Sequence, residues 1–147
     1  MFCILGPAFA QKRFCSSLVK LHLFRTNICQ ILRSGLSAFA LRKTDLDPSI
    51  IFHRKILRGF LSLSKSSNIP ALYILLGELP MDGKVCRDMF SLFYCIWRNP
   101  QTKIFQILKY LLQTSNENSR TWSIHLRHVS RQYGLPDPLE LLEKDPI

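Results

Sequence analysis

The sequence predicts an all-α protein, an irregular bundle of five to seven amphipathic helices. Three observations carry that expectation. Apolar residues return at intervals of three and four along most of the 147 residues, the period of a helical face. Asp-Pro, Asn-Pro and glycine signals fall where such runs start and stop. Only eight prolines and six glycines interrupt a chain that is 47% apolar, enough for a core and too much for bulk disorder.

The first predicted helix covers 16–33. Leu18, Leu21, Phe24, Ile28, Ile31 and Leu32 form its apolar face, Lys20, Arg25 and Arg33 fall largely elsewhere, and Gly35 stops it. Asp47-Pro48 reads as the next start: the aspartate caps free N–H groups and the proline fills a position that needs no donor. Ile50, Ile51, Ile56, Leu57, Phe60 and Leu61 then supply the buried stripe, while His53, Arg54, Lys55 and Arg58 are expected to face outward. A serine-rich loop, 62–68, breaks this helix. Pro70 opens a short apolar run closed by Gly77, for which a strand is the competing assignment.

A longer helix over about 82–98 presents Val85, Met89, Phe90, Phe93, Tyr94 and Trp97. Asn99-Pro100 is expected to end it and to cap its neighbour, whose core candidates include Phe105, Leu108 and Leu112. The next helix starts at Ser119 or Thr121 and runs to Tyr133, ahead of Gly134 and Pro136. Asp137 to Glu140 has the spacing of a capping box and nucleates two final turns. The main core is expected to hold Phe90, Phe93, Trp97, Phe105, Leu108, Leu112 and Trp122.

The net charge of +10 is unevenly placed. Residues 1–44 carry Lys12, Arg13, Lys20, Arg25, Arg33, Arg42 and Lys43 and no acid, whereas acids slightly outnumber bases in 117–147. A field of one sign attracts a polyanion, and nucleic acid is the commonest one. Five cysteines without a C-x-x-C pair fit neither a secreted disulfide framework nor paired zinc ligands, and read as free thiols in a reducing compartment. Met1 to Ala10 is apolar but lacks the basic start of a secretory signal; a mitochondrial presequence is the alternative. The longest charge-free stretch is far short of the roughly 20 residues a membrane span needs.

Catalytic constellations are not legible. His125 and His128 share a helical face without the glutamate of H-E-x-x-H or a third ligand. No serine sits in G-x-S-x-G, no glycine-rich phosphate loop precedes a lysine, and no carboxylate pair offers itself to two magnesium ions. The expectation is a protein without enzymatic activity, cofactor or metal.

Several blocks resemble a known family. The stretch 69–80, IPALYILLGELP, is similar to the PALYLLLGELP segment downstream of the palm in reverse-transcriptase polyproteins of non-LTR retrotransposons of the LINE and jockey type. Ser91 to Tyr94 with Trp97 to Pro100, Thr102 to Phe105, Lys109 to Leu112, Ser119 to Trp122, His125 to Arg127 and Tyr133 to Pro138 follow in the family's order. Upstream, Leu21 to Thr26 and Ile31 to Leu36 resemble the thumb, and Phe52 to Arg58 resembles its FHRKxLR helix. The likeness covers about residues 16–146. It departs at Gln30 and Ser34, where the family has proline and an aromatic, and in the loose fit of Leu5 to Ala8 to the family's lead-in.

The resemblance implies a weakly structured lead-in (1–15), basic thumb-like helices (16–62) and a helical post-thumb region with an aromatic core (63–147). The family's aspartate pair on the palm has no counterpart here, so the resemblance carries no catalytic residue over and implies an inactive remnant, a truncated or decayed copy acting in nucleus or cytoplasm. It does carry over the thumb's grip on a template–primer backbone, at Arg25, Arg33, His53, Arg54, Lys55 and Arg58. The charge pattern itself, the acid-free first 44 residues plus the basic face of the 47–61 helix, gives an expectation of about five neutralised phosphates. The implied partners are RNA or DNA backbones without sequence preference; self-association through an exposed apolar face is also expected, and no membrane. A helical interaction or scaffold module without a nucleic-acid role is the alternative.

Overall fold

The computed structural model describes residues 16–33, 35–116 and 119–144. Among these the chain is all-α: seven helices and no strand, counting the continuous helix at 17–33 once. The lead-in expected at 1–15 lies outside the described residues.

Helix α1 (17–33) begins where Ser16 Oγ accepts from Val19 N–H at 3.3 Å. Its middle, Phe24–Ile28, widens into a π-turn before α-geometry resumes at Cys29–Arg33. One extra residue in that turn sets the following face back by about 100°. Leu21, Phe24, Ile28 and Cys29 are therefore buried, while Ile31, expected inside, is 57% exposed. Leu18, one turn upstream, is also exposed.

Helix α2 (Lys43–Phe60) starts a turn earlier than Asp47-Pro48 suggested, and Pro48 lies inside it. Asp45 accounts for the shift, since its Oδ2 accepts from Arg42 N–H at 2.9 Å and satisfies a free donor at the new start. Helix α3 (Ile69–Leu76) settles the strand-or-helix choice at Pro70. Asn68 Oδ1 accepts from Ala71 N–H at 3.2 Å, and Gly77 closes the helix at φ 58°.

Helix α4 (Met81–Trp97) is followed by a turn rather than a shared cap. Asn99 Nδ2 folds back to Cys95 O at 2.7 Å, and Asn99 O accepts from the Thr102 hydroxyl at 2.8 Å. Thr102, not Asn99, then caps α5 (Lys103–Thr114) by accepting from Phe105 N–H at 3.3 Å. Helices α6 (Trp122–Gln132) and α7 (Pro138–Glu143) complete the chain, and Asp137 caps α7 through Leu139 N–H at 2.9 Å.

The described residues fall into two compact units. The first takes Leu46–Met81 with the described part of Met1–Ser34. Its core is Leu21, Phe24, Ile28, Cys29, Leu57, Leu72 and Tyr73, flanked by half-buried Phe52, Ile56 and Phe60. The second takes Gly35–Asp45 with the described part of Asp82–Ile147. Met89, Phe93, Leu108, Leu112, Leu126, Val129 and Leu142 form its core, and Phe90, Trp97, Phe105 and Trp122 pack half-buried against them. Both indoles are anchored, Trp122 Nε1 to Ser37 O at 2.7 Å and Trp97 Nε1 to Lys144 O at 3.1 Å. The first unit runs through α3 to Met81 because Leu72 and Tyr73 of α3 belong to its core.

Three helices end in the same paired-bond motif, with one residue in the left-handed region. After α3, Gly77 N–H bonds Ile74 O and Glu78 N–H bonds Tyr73 O; after α6, Gly134 and Leu135 repeat the pattern with Arg131 and Ser130. After α2, Ser62 takes the glycine position at φ 53°, with Leu63 N–H on Arg58 O at 3.0 Å. A Cβ in that conformation costs about 1–2 kcal/mol. Ser62→Gly is therefore expected to stabilise the protein by about 0.5–1 kcal/mol. Gly77→Ala and Gly134→Ala, whose Cβ would meet nothing within 4 Å, each cost about 1 kcal/mol from backbone strain alone. Urea denaturation of the three variants checks the opposite signs.

Candidate nucleic-acid interface

Helix α2 carries the basic cluster, and its period sorts the members. Ile50, His53 and Leu57 lie on the inward stripe, at spacings of three and four, and all are buried. Arg54 and Arg58, four apart, share the adjoining flank and are half-buried; Lys55, further round, is exposed beside exposed Ile51.

His53 corrects the sequence-based expectation. Its ring is 0% exposed and stacked between Phe24 and Tyr73, with centroids at 5.5 and 5.8 Å. Nδ1 lies 3.5 Å from the Tyr73 hydroxyl. A ring so enclosed reaches no phosphate, and His53 is a packing residue of the first unit.

Arg25 is likewise engaged inside its own unit. Its Nε pairs with Glu78, whose side chain is only 4% exposed, and its Nη2 donates to Leu76 O at 2.6 Å. The guanidinium thus neutralises a buried carboxylate and closes the carbonyl end of α3, where a cation is favourable. Arg33 is half-buried in the last turn of α1.

Three guanidine Nε atoms are buried without a hydrogen bond among the described residues, two of them on the α2 flank; the third, Arg127 on α6, still lies 3.0 Å from Asp137 Oδ2. The Nε atoms of Arg54 and Arg58 are both buried and have no acceptor among the described residues. Arg58 also donates from Nη2 to Ser67 O at 3.3 Å, a long bond for a charged donor. A buried guanidine N–H without an acceptor costs free energy, which the side chain regains by turning outward to an anion or to water. The serine loop that Arg58 touches carries exposed Lys65.

Of the aromatics considered for stacking on bases, Trp97 and Trp122 are half-buried, with their indole donors used. Tyr94 is 46% exposed, but Arg98 lies over its ring at 5.7 Å. On α6, burial lowers the pKa of His125, and the neighbouring charge of His128 lowers it further. Burial and then the charge of Asp82 raise the Cys86 thiol above its ordinary value, which keeps it protonated near neutrality. Among the described residues no three His, Cys, Asp or Glu side chains gather as metal ligands, and no helix is long and apolar enough to cross a membrane.

Comparisons with protein-family models, with curated proteins and with solved structures found no match to this chain.

Proposed function

We propose that the chain is a catalytically inactive, thumb-like remnant of a non-LTR retrotransposon reverse transcriptase that binds nucleic-acid backbones weakly and without sequence preference. The observation that carries this reading is the α2 flank: Arg54 and Arg58 on successive turns, each with a buried Nε lacking an acceptor, beside exposed Lys55. Arginine forks suit phosphate oxygens, so backbone contact is expected to dominate. The ordered family-like blocks of the sequence support the lineage, which places the work in the nucleus or cytoplasm, with the mitochondrion as the alternative.

The test is a fluorescence-anisotropy titration of the triple variant R54A, K55A and R58A. It is expected to bind every oligonucleotide more weakly by a similar factor and to flatten the salt slope by about three units. A sequence-selective loss, or no loss, overturns the reading.

One observation favours a second reading, a helical interaction module. On α5, Ile104, Ile107 and Tyr110 point outward at three-residue spacing and are 61%, 57% and 64% exposed. Such a stripe suits self-association or a partner helix. Substituting these three by polar residues would then abolish association while leaving oligonucleotide binding intact.

A further inference from the structure

Ser62, Ser64 and Ser66 are exposed in the loop that ends α2, and Ser67 is half-buried beside them. Ser64 Oγ lies 2.8 Å from Ser66 Oγ and 3.4 Å from Ser67 Oγ, so three hydroxyls occupy one small volume. Arg58 reaches into the same loop, holding Ser67 O at 3.3 Å while its Nε stays buried without an acceptor. A guanidinium held to the loop by one long neutral bond, beside a cluster of hydroxyls, is a partner that a phosphoserine there would draw to itself.

We propose that this loop is a phosphorylation site, with Ser66 as the acceptor, and that Arg58 captures the resulting phosphoserine and so withdraws from nucleic acid. The regulatory consequence rests on the backbone-binding role given to Arg58; the capture does not. Ser66 is chosen because it is exposed, follows Lys65, and precedes the residue whose carbonyl Arg58 already holds. No acidic residue lies between Asp47 and Glu78, and no proline follows a serine of the loop. The flanks therefore suit a serine kinase that reads basic residues, not an acid- or proline-directed one. In the step, Ser66 Oγ attacks the γ-phosphorus of ATP. The Oγ–P bond forms as the bond to the β-phosphate oxygen breaks, ADP leaves, and the hydroxyl proton passes to the kinase.

Two measurements test the proposal on the full chain. Incubation with a basic-directed serine kinase and magnesium ATP should place phosphate on 62–67 by mass spectrometry; none there overturns the site. In the chain carrying phosphate on Ser66, ³¹P NMR should show the second ionisation about one unit below its ordinary value near about 6, because Arg58 favours the dianion. R58Q should remove that shift and R58K should keep part of it. A titration equal to that of a free peptide, or one indifferent to R58Q, overturns the capture. Phosphorylation should also weaken oligonucleotide binding about tenfold. A shifted ionisation with unchanged binding would refute the backbone-binding role of Arg58 while leaving the capture standing.

Discussion

Raising the salt from about 50 to about 200 mM is expected to weaken duplex binding about 150-fold and single-strand binding about 50-fold. The magnitude follows from counting cations still available once the fold has formed. Residue identity alone gave about five phosphate contacts. The structure buries His53 and ties Arg25 to Glu78, and the α2 flank with its serine loop carries Arg54, Lys55, Arg58 and Lys65. About four neutralised phosphates give log–log slopes near about −3.6 on duplex and −2.8 on single strands, which a fourfold change of salt converts to those factors. Anisotropy titrations at the two salt concentrations measure both. Equal affinity at both, or no binding at the lower salt, defeats the electrostatic account. A slope above that of four contacts would instead bring Arg25 back, which R25Q would test directly.

The fold class was legible because it needs only the apolar period and the stop signals, and both are strong here. Gly77 and Gly134 ended helices as expected, and Asp137 capped the last one. What escaped the sequence has local physical causes. The π-turn at Phe24–Ile28 leaves no residue signature, yet it moves Cys29 inward and Ile31 outward. Helix starts were misplaced wherever a second polar residue competed with an X-Pro signal: Asp45 preceded Asp47-Pro48, and Thr102 followed Asn99-Pro100. In the candidate site, His53 was grouped with Arg54 and Lys55 by polarity, although its spacing from Ile50 and Leu57 already put it on the inward stripe. The pairing of Arg25 with Glu78 spans 53 residues and could not be read from either neighbourhood.

The largest stability effect is expected from Phe24→Ala, at about 3–5 kcal/mol. Phe24 is 0% exposed and is the ring that joins the helices of the first unit. It stacks on His53 of α2, meets Phe60 edge-on at 5.6 Å, and shares its core with Leu72 and Tyr73 of α3. Removing it forfeits the transfer free energy of a full aromatic side chain and the ring contacts, and leaves the His53 imidazole facing a cavity. Phe24→Leu keeps most of the volume and should cost about 1–2 kcal/mol. Ile51→Ala lies on the same helix as His53 but at 63% exposure, and should stay within about 0.5 kcal/mol of the parent. Urea denaturation followed by far-ultraviolet circular dichroism ranks the three. A Phe24→Ala cost near that of Ile51→Ala would mean that α1 does not pack on α2 and α3 as described. The same series separates scaffold from interface. Phe24→Ala should lose oligonucleotide binding only as it unfolds, whereas the R54A, K55A and R58A triple should lose binding while its helical signal and midpoint stay close to the parent's.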